Sequence, residues 1–237
     1  DVLHLGRQGA PSSSFPTSGF LAITNGSFVT VPNSTGEHFL HVRAIDNLGN
    51  VRKFTSNVFY IDLIKPTAPI ISAPTVWTHN DASVVITAGT DHDSGVAQTE
   101  YRLNGEAWTT YNHALTISKN GETSVEARTV DYAGNVSDTV STIVKVDKVK
   151  PTLSINLSTT NVTHEDVTLT AIASDEHSGV KRMMLPDNTW VNGSSATFSA
   201  RYNGTYEFIV EDHAGNTHTE SITITNIDKT ISFEKPS

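Results

Sequence analysis

The sequence predicts an all-β chain built as three small β-sandwiches in tandem, and three observations carry that prediction. The motif Asp-x-x-Gly-Asn occurs at Asp46 to Asn50, Asp131 to Asn135 and Asp212 to Asn216. From Asp46 to Asp131 is 85 residues and from Asp131 to Asp212 is 81, too long for a solenoid unit and about right for one sandwich domain. The segments flanking each motif alternate apolar and polar residues, and nothing resembles a long helix with a 3.6-residue period. The domains expected are 1–65, 66–150 and 151–230, with 231–237 a tail or the start of another copy.

The middle copy is the most legible. Ser83 to Thr90 alternates as a half-buried strand, the loop Asp91-His92-Asp93-Ser94-Gly95 follows, and Ala97 to Leu103 is the next strand. Asn104-Gly105 signals a type I′ hairpin, because both central positions need positive φ. It leads to the strand around Trp108, then to His113 to Ser118, the turn Asn120-Gly121, Thr123 to Val130, the Asp131 motif and Val136 to Val146. The third copy repeats this order: Asp166 to Ala173, the loop Asp175-Glu176-His177-Ser178-Gly179, Val180 to Leu185, Trp190, Ala196 to Ala200, Asn203-Gly204, Tyr206 to Val210, the Asp212 motif and Thr217 to Ile227.

The first copy matches only from Phe20 to Thr24 onward, through Asn25-Gly26, Phe28 to Val31, Phe39 to Ile45, the Asp46 motif and Val51 to Ile61. Its opening residues, 1–18, are rich in Gly, Pro and Ser and too short to hold the missing strands comfortably. A truncated or divergent first domain follows. The links Asp62 to Thr67 and Asp147 to Thr152 each end in Pro-Thr, and Asp228-Lys229-Thr230 restarts the pattern. Proline fixes φ and holds its predecessor extended, so the copies are expected end to end with limited hinge freedom.

Composition narrows the functional classes. The formal net charge of −9 disfavours a non-specific nucleic-acid or anionic-membrane binder and is compatible with cation binding. No cysteine is present, so packing, ions or neighbouring domains must supply the rigidity that disulfides give small secreted domains. No apolar run approaches the length of a membrane span and no signal peptide is visible, so no membrane insertion is expected within this segment. The chain starts at Asp1 and not at Met, which points to a fragment or processed product whose targeting sequence lies elsewhere.

The motif sets Asp-x-x-Ser-Gly-Val, Tyr101-Arg102-Leu103-Asn104-Gly105-x-x-Trp108 and Val130-Asp131-Tyr132-Ala133-Gly134-Asn135, with Asn203-Gly204-Thr205-Tyr206-x-Phe208-x-Val210-x-Asp212-x-Ala214-Gly215-Asn216 in the third copy, resemble bacterial immunoglobulin-like repeats. The resemblance covers about residues 19–230. It implies an immunoglobulin-like fold in a large secreted or cell-surface protein, of the S-layer, adhesin or polysaccharidase-accessory type. The expected partners are other domains of the same polypeptide, with a cell-surface glycan or host protein as ligand if the segment is an adhesin or carbohydrate-binding module. The first copy departs from the pattern by lacking the Asp-x-x-Ser-Gly loop.

Two readings of the repeated turn stand side by side. An Asp at a strand end accepts amide hydrogen bonds from residues just ahead, and the Gly supplies the left-handed position of a short hairpin. In an immunoglobulin-like sandwich, however, the B–C and F–G loops share a pole with the entering linker. That gathers Asp62, Asp91, Asp93 and Asp131 at one pole and Asp147, Asp175, Glu176 and Asp212 at another. Converging carboxylates repel unless a cation lies among them, and hard oxygen ligands suit Ca²⁺. His177 and His213 raise a Zn²⁺ variant, with solvated loop histidines as the simpler reading.

Trp108 and Trp190 hold corresponding positions, which favours a shared core or inter-sheet contact over a sugar-stacking platform. Tyr206 and Phe208 alternate with Thr205 and Glu207 as core and solvent faces of one strand. A Lys–Asn crosslink would need a buried lysine, and Lys145 is the strand-embedded candidate. No nucleophile elbow, His-Glu-x-x-His or phosphate loop occurs, so no enzyme is expected.

Overall fold

The computed structural model describes residues 2–5, 14, 15, 17, 20–24 and 33–230. The expected turn at Asn25-Gly26, the strand Phe28 to Val31 and the tail 231–237 lie outside the described residues. Every regular element described is a strand, and the described residues include no helix long and apolar enough to cross a membrane.

The strands of the second copy are those whose sequence pattern is clearest. They run β7 (Ile70–Ser72), β8 (Ala82–Thr87), β9 (Val96–Leu103), β10 (Thr109–Thr110), β11 (Leu115–Ile117), β12 (Gly121–Asp131) and β13 (Val140–Val146). They form a three-stranded sheet, β11-β8-β7, and a four-stranded sheet, β10-β9-β12-β13, antiparallel throughout. The third copy repeats this with β14 (Thr152–Leu157), β15 (Val167–Ser174), β16 (Val180–Met184), β17 (Trp190–Asn192), β18 (Ser195–Ala200), β19 (Gly204–Asp212) and β20 (Thr217–Ile224), in sheets β14-β15-β18 and β17-β16-β19-β20. Both are seven-stranded sandwiches of the immunoglobulin-like class.

Period-two burial places the cores. Along β8 the residues alternate buried and exposed, and Ala82, Val84 and Ile86 meet Val125, Ala127, Val144 and Val146 from the opposite sheet. In the third sandwich Val167, Leu169 and Ala171 face Met183, Phe208, Val210 and Ile224. Phe208 is fully buried, Tyr206 packs beside it half-buried, and Thr205 and Glu207 are exposed, as the alternation requires. Asn104 at φ 49° and Gly105 at φ 76° form the expected left-handed pair between β9 and β10.

The first copy differs. Its strands are β1 (Val2–Leu5), β2 (Leu21–Ile23), β3 (Gly36–His38), β4 (His41–Ile45), β5 (Val51–Thr55) and β6 (Phe59–Ile61), in sheets β2-β1-β4-β5 and β3-β6. The opening residues, expected to be too short and turn-rich to hold the missing strands comfortably, supply one strand among the described residues, Val2 to Leu5, which pairs with both β2 and β4. The expected strand Phe39 to Ile45 starts two residues later, at His41, because the chain crosses at Phe39 and Leu40 from the two-stranded sheet, where His38 pairs, to the four-stranded one. Among residues 33–62 the buried positions are these two histidines, and His41 Nδ1 lies 2.9 Å from Thr55 Oγ1.

Trp108 and Trp190 do not join the cores. Trp190 keeps 39% of its surface exposed, and the Arg182 guanidinium lies 4.1 Å above its ring. Arg102 and Arg128 lie 4.6 and 4.1 Å from the half-buried Trp108 ring, and each arginine is paired at 2.7 Å with Glu126 or Glu100. The repeated tryptophan is thus the apolar part of an ion-paired outer face, and its equivalent placement does not mean a shared core. Lys145 is not buried either: it reaches Glu122 at 2.9 Å with 31% of its side chain exposed, which removes the setting a crosslink needs.

Candidate metal centre

The aspartates of the repeated turn take their places from β-structure. In the second sandwich the pairing of β12 with β9 shifts register between Val130 and Asp131, passing over Ala97. The third sandwich has the same irregularity between β16 and β19, passing over Lys181. Each bulge lies where the strand delivers its last residue, and Asp131 and Asp212 end 2% and 0% exposed.

The turn itself is identical in all three copies. Asp131 accepts Asn135 N at 2.8 Å on Oδ1 and Asn135 Nδ2 at 2.8 Å on Oδ2. Asp212 accepts Asn216 N and Nδ2 at 2.9 and 2.8 Å, and Asp46 accepts Asn50 N and Nδ2 at 2.8 and 2.7 Å. Hydrogen bonding by the Asn50 side chain and amide holds the Asp46 carboxyl below its usual range. The hairpin-capping reading therefore describes every copy.

In the second and third sandwiches the turn does more. Carboxylate oxygens of Asp62, Asp91 and Asp131 lie within 4.8 Å of one another, and so do those of Asp147, Asp175 and Asp212. Asp62 and Asp147 come from the linkers, Asp91 and Asp175 from the loops before β9 and β16, and Asp131 and Asp212 from the ends of β12 and β19. Asp93 and Glu176, also expected at these poles, are exposed and belong to neither group. The physical reason is local. In each loop the first acidic residue turns inward to accept a later amide, Gly95 N on Asp91 and Gly179 N on Asp175, both at 2.7 Å, which leaves Asp93 and Glu176 on the outside. His177 and His213 contribute no atom to the second group, so its donors are all carboxylate oxygens. Among the described residues Asp46 belongs to no such group.

Loop amides hold the linker aspartates. Asp62 accepts Ile64 N at 2.9 Å and Ser94 N at 3.1 Å, and Asp147 accepts Val149 N and Ser178 N, both at 3.0 Å. The Ser94 hydrogen bonds hold the Asp62 carboxyl below its usual range. Burial pushes Asp147 up, but hydrogen bonds from Ser178 and Val149 outweigh it and leave that carboxyl low. Two buried oxygens beside these groups, Asp175 Oδ2 and Ser94 Oγ, have no hydrogen-bond partner.

The asparagine of the motif is the residue that sequence reasoning missed. Asn135 Nδ2 also donates to the carbonyls of Asp62 and Ile64, at 3.1 and 3.3 Å, and Asn216 Nδ2 donates to that of Asp147 at 2.8 Å. The turn thus grips the linker's main chain while its aspartate faces the linker's side chain. The repetition of Asn after Gly in all three copies was the signal available for it.

Chemically, each group offers three hard anionic oxygen donors, partly neutralised by amides, at mutual distances no greater than about twice a Ca²⁺–oxygen bond of roughly 2.3–2.6 Å. The donor set fits a hard divalent cation and lacks the sulfur or nitrogen ligands a structural Zn²⁺ takes.

Residues 145–235 match a family described as a domain of unknown function (DUF7743), a span that includes all three aspartates of the second group. No curated protein matches the chain. Similar solved structures include the fibronectin(III)-like modules of Clostridium thermocellum CbhA, at 17% identity over 71% of this chain and 100% of that one, with a TM-score of 0.34. A Ca²⁺-stabilized adhesin of an Antarctic bacterium that binds ice is 17% identical over 96% of this chain and 65% of that one, with a TM-score of 0.38. The D00-D0 domain of intimin is 15% identical over 66% of this chain and 100% of that one, at 0.33. Repeat domains of bacterial adhesins are thus among the similar structures, and the sandwich architecture itself rests on the strand pairing given above.

Proposed function

We propose that the chain is a non-catalytic structural segment of a larger bacterial extracellular or surface protein, a spacer whose joints are stiffened by Ca²⁺. The observation that carries this reading is the pair of aspartate groups, each built from a linker carboxylate and two loops of the sandwich that follows. Asp147 and Asp212 are fully buried, Asp131 nearly so, and Asp175 Oδ2 is buried without a donor. Three carboxylates this close in a poorly solvated site repel strongly, and a divalent cation turns that repulsion into attraction. Asp62, Asp91 and Asp131 would hold one ion and Asp147, Asp175 and Asp212 the other, with water completing the six to eight ligands Ca²⁺ takes. The ion supplies charge and cross-linking, not chemistry on a substrate.

The test is a thermal melt of the chain in Ca²⁺ and in excess chelator, alongside small-angle scattering in both. The reading expects a higher Tm and a narrower distribution of domain separations with Ca²⁺. An unchanged Tm and unchanged scattering would overturn it.

A further inference from the structure

The two joints differ in what fills the space beside the aspartates. At the second joint, Thr78 is bridged to Val146 and donates its amide to the Lys145 carbonyl at 3.2 Å. Its neighbour His79 reaches across to the next sandwich. His79 Nδ1 lies 2.9 Å from the Ala214 carbonyl, and the ring is 3.4 Å from where a Cβ on Gly215 would stand. Counted back from the linker aspartate, Tyr60 and Ile61 hold at the first joint the positions of Lys145 and Val146 at the second. Ala133 likewise stands for Ala214. No described residue of the first sandwich plays the part of His79, and the ground it would cover is an open groove of about 370 Å³.

Among the residues that line the groove are Thr35, Tyr60, Asp62, Asp93 and Tyr132. Tyr60 and Tyr132 are 71% and 75% exposed. Neither hangs free. The Tyr60 hydroxyl donates to Glu37 Oε1 at 3.1 Å, and Tyr132 Cδ2 lies 3.8 Å from the Cβ position of Gly95, so the ring rests on the loop. Asp93, excluded from the aspartate group, lines the groove and accepts no hydrogen bond from the described residues.

We propose that this groove binds a neutral saccharide. Two held aromatic rings match the apolar C–H faces of pyranose units, while the Asp93 carboxylate and the Thr35 hydroxyl suit the polar rim of a sugar. Asp93, which stands outside the aspartate group, disfavours phosphorylated, sulfated or uronic ligands. The proposal does not rest on the cation reading, since Tyr60, Tyr132, Thr35 and Asp93 belong to neither aspartate group.

The experiment titrates the whole chain, in calcium-containing buffer, with cellohexaose, xylohexaose and chitohexaose, followed by nuclear magnetic resonance or calorimetry. Tetralysine is titrated in parallel. Saturable binding of at least one neutral hexasaccharide is expected, weakened about tenfold by Tyr132→Ala and by Tyr60→Ala, which corresponds to about 1.4 kcal/mol. Asp93→Asn is expected to weaken it less, and Trp190→Ala, far along the chain, not at all. Both tyrosines are mostly exposed, so unchanged melting of the variants separates lost contact from lost fold. No binding by any of the three sugars, binding indifferent to both tyrosine changes, or binding of tetralysine alone would each overturn the proposal.

Discussion

Asn216 binds two parts of the chain at once: its Nδ2 donates to the Asp212 carboxylate at 2.8 Å and to the Asp147 carbonyl, 69 residues earlier, also at 2.8 Å. Asn216→Ala removes both bonds and leaves the fully buried Asp212 short of a donor. The expected loss is about 1–3 kcal/mol, seen as a lower midpoint for the third sandwich in urea unfolding. Asn50→Ala, at the turn that contacts no linker among the described residues, is expected to cost less.

Gly89 is fixed by the linker. A Cβ there would stand 1.9 Å from the Thr67 carbonyl oxygen, and Thr67 N donates to Thr90 O at 2.8 Å. Gly89→Ala should therefore force Thr67 away from β8 and cost about 2–3 kcal/mol, measured as a fall in Tm. Gly134→Ala is a contrasting case: no atom lies within 4 Å of its Cβ position, but its φ of 91° makes the cost conformational.

Acid should loosen both joints. Asp62 and Asp147 are held below their usual range, by Ser94 hydrogen bonds for Asp62 and by Ser178 and Val149 against burial for Asp147. A carboxyl lowered in the folded state stabilises fully above its unfolded pKa, about 3.9, and that stabilisation is lost as pH falls through the folded value. Stability should be flat on this account from neutral pH to about 5, then decline. Differential scanning calorimetry from pH 7 to about 3 measures it, and Asp147→Asn should flatten the acid limb.

The outer-face tryptophans contribute modestly. Trp190→Ala removes the surface on which Arg182 rests, but Arg182 and Lys181 keep Glu211, at 2.6 and 2.8 Å. The expected cost is about 1 kcal/mol in chemical denaturation, well below that of a core deletion such as Phe208→Ala at about 3–5 kcal/mol.

Much of this was legible in the sequence, for physical reasons that differ residue by residue. Val84 and Phe208 announce core faces because strand side chains alternate with a fixed period of two. Asn104-Gly105 announces its turn because few residues tolerate positive φ. The gathering of Asp62 with Asp91 and Asp131 followed from topology alone. What stayed hidden depends on geometry that carries no residue preference. The bulges at Ala97 and Lys181 fall on residues that are neither glycine nor proline, so nothing marks them. Asp93 and Asp91 are the same residue type two positions apart, and only the amide of Gly95 decides which one turns inward. Trp108 looked like core because large aromatic residues usually are. Its true partners, Arg102 and Arg128, lie on neighbouring strands, and their alignment with it depends on register.

The joints also settle where a pull along the chain would be felt. The second linker is fastened on both sides: ahead, Asp147 accepts Ser178 N by its side chain and Asn216 Nδ2 by its carbonyl, and behind, the Asp147 amide donates to the Thr78 carbonyl at 2.9 Å, the Lys148 amide donates to Asn120 Oδ1 at 3.0 Å and Lys148 pairs with Asp81. The mechanical unit is therefore not a single sandwich: this linker is shared between the sandwich before it and the one after it. Tension along the chain is divided at this linker between the aspartate clasp ahead and the bonds to Thr78, Asn120 and Asp81 behind.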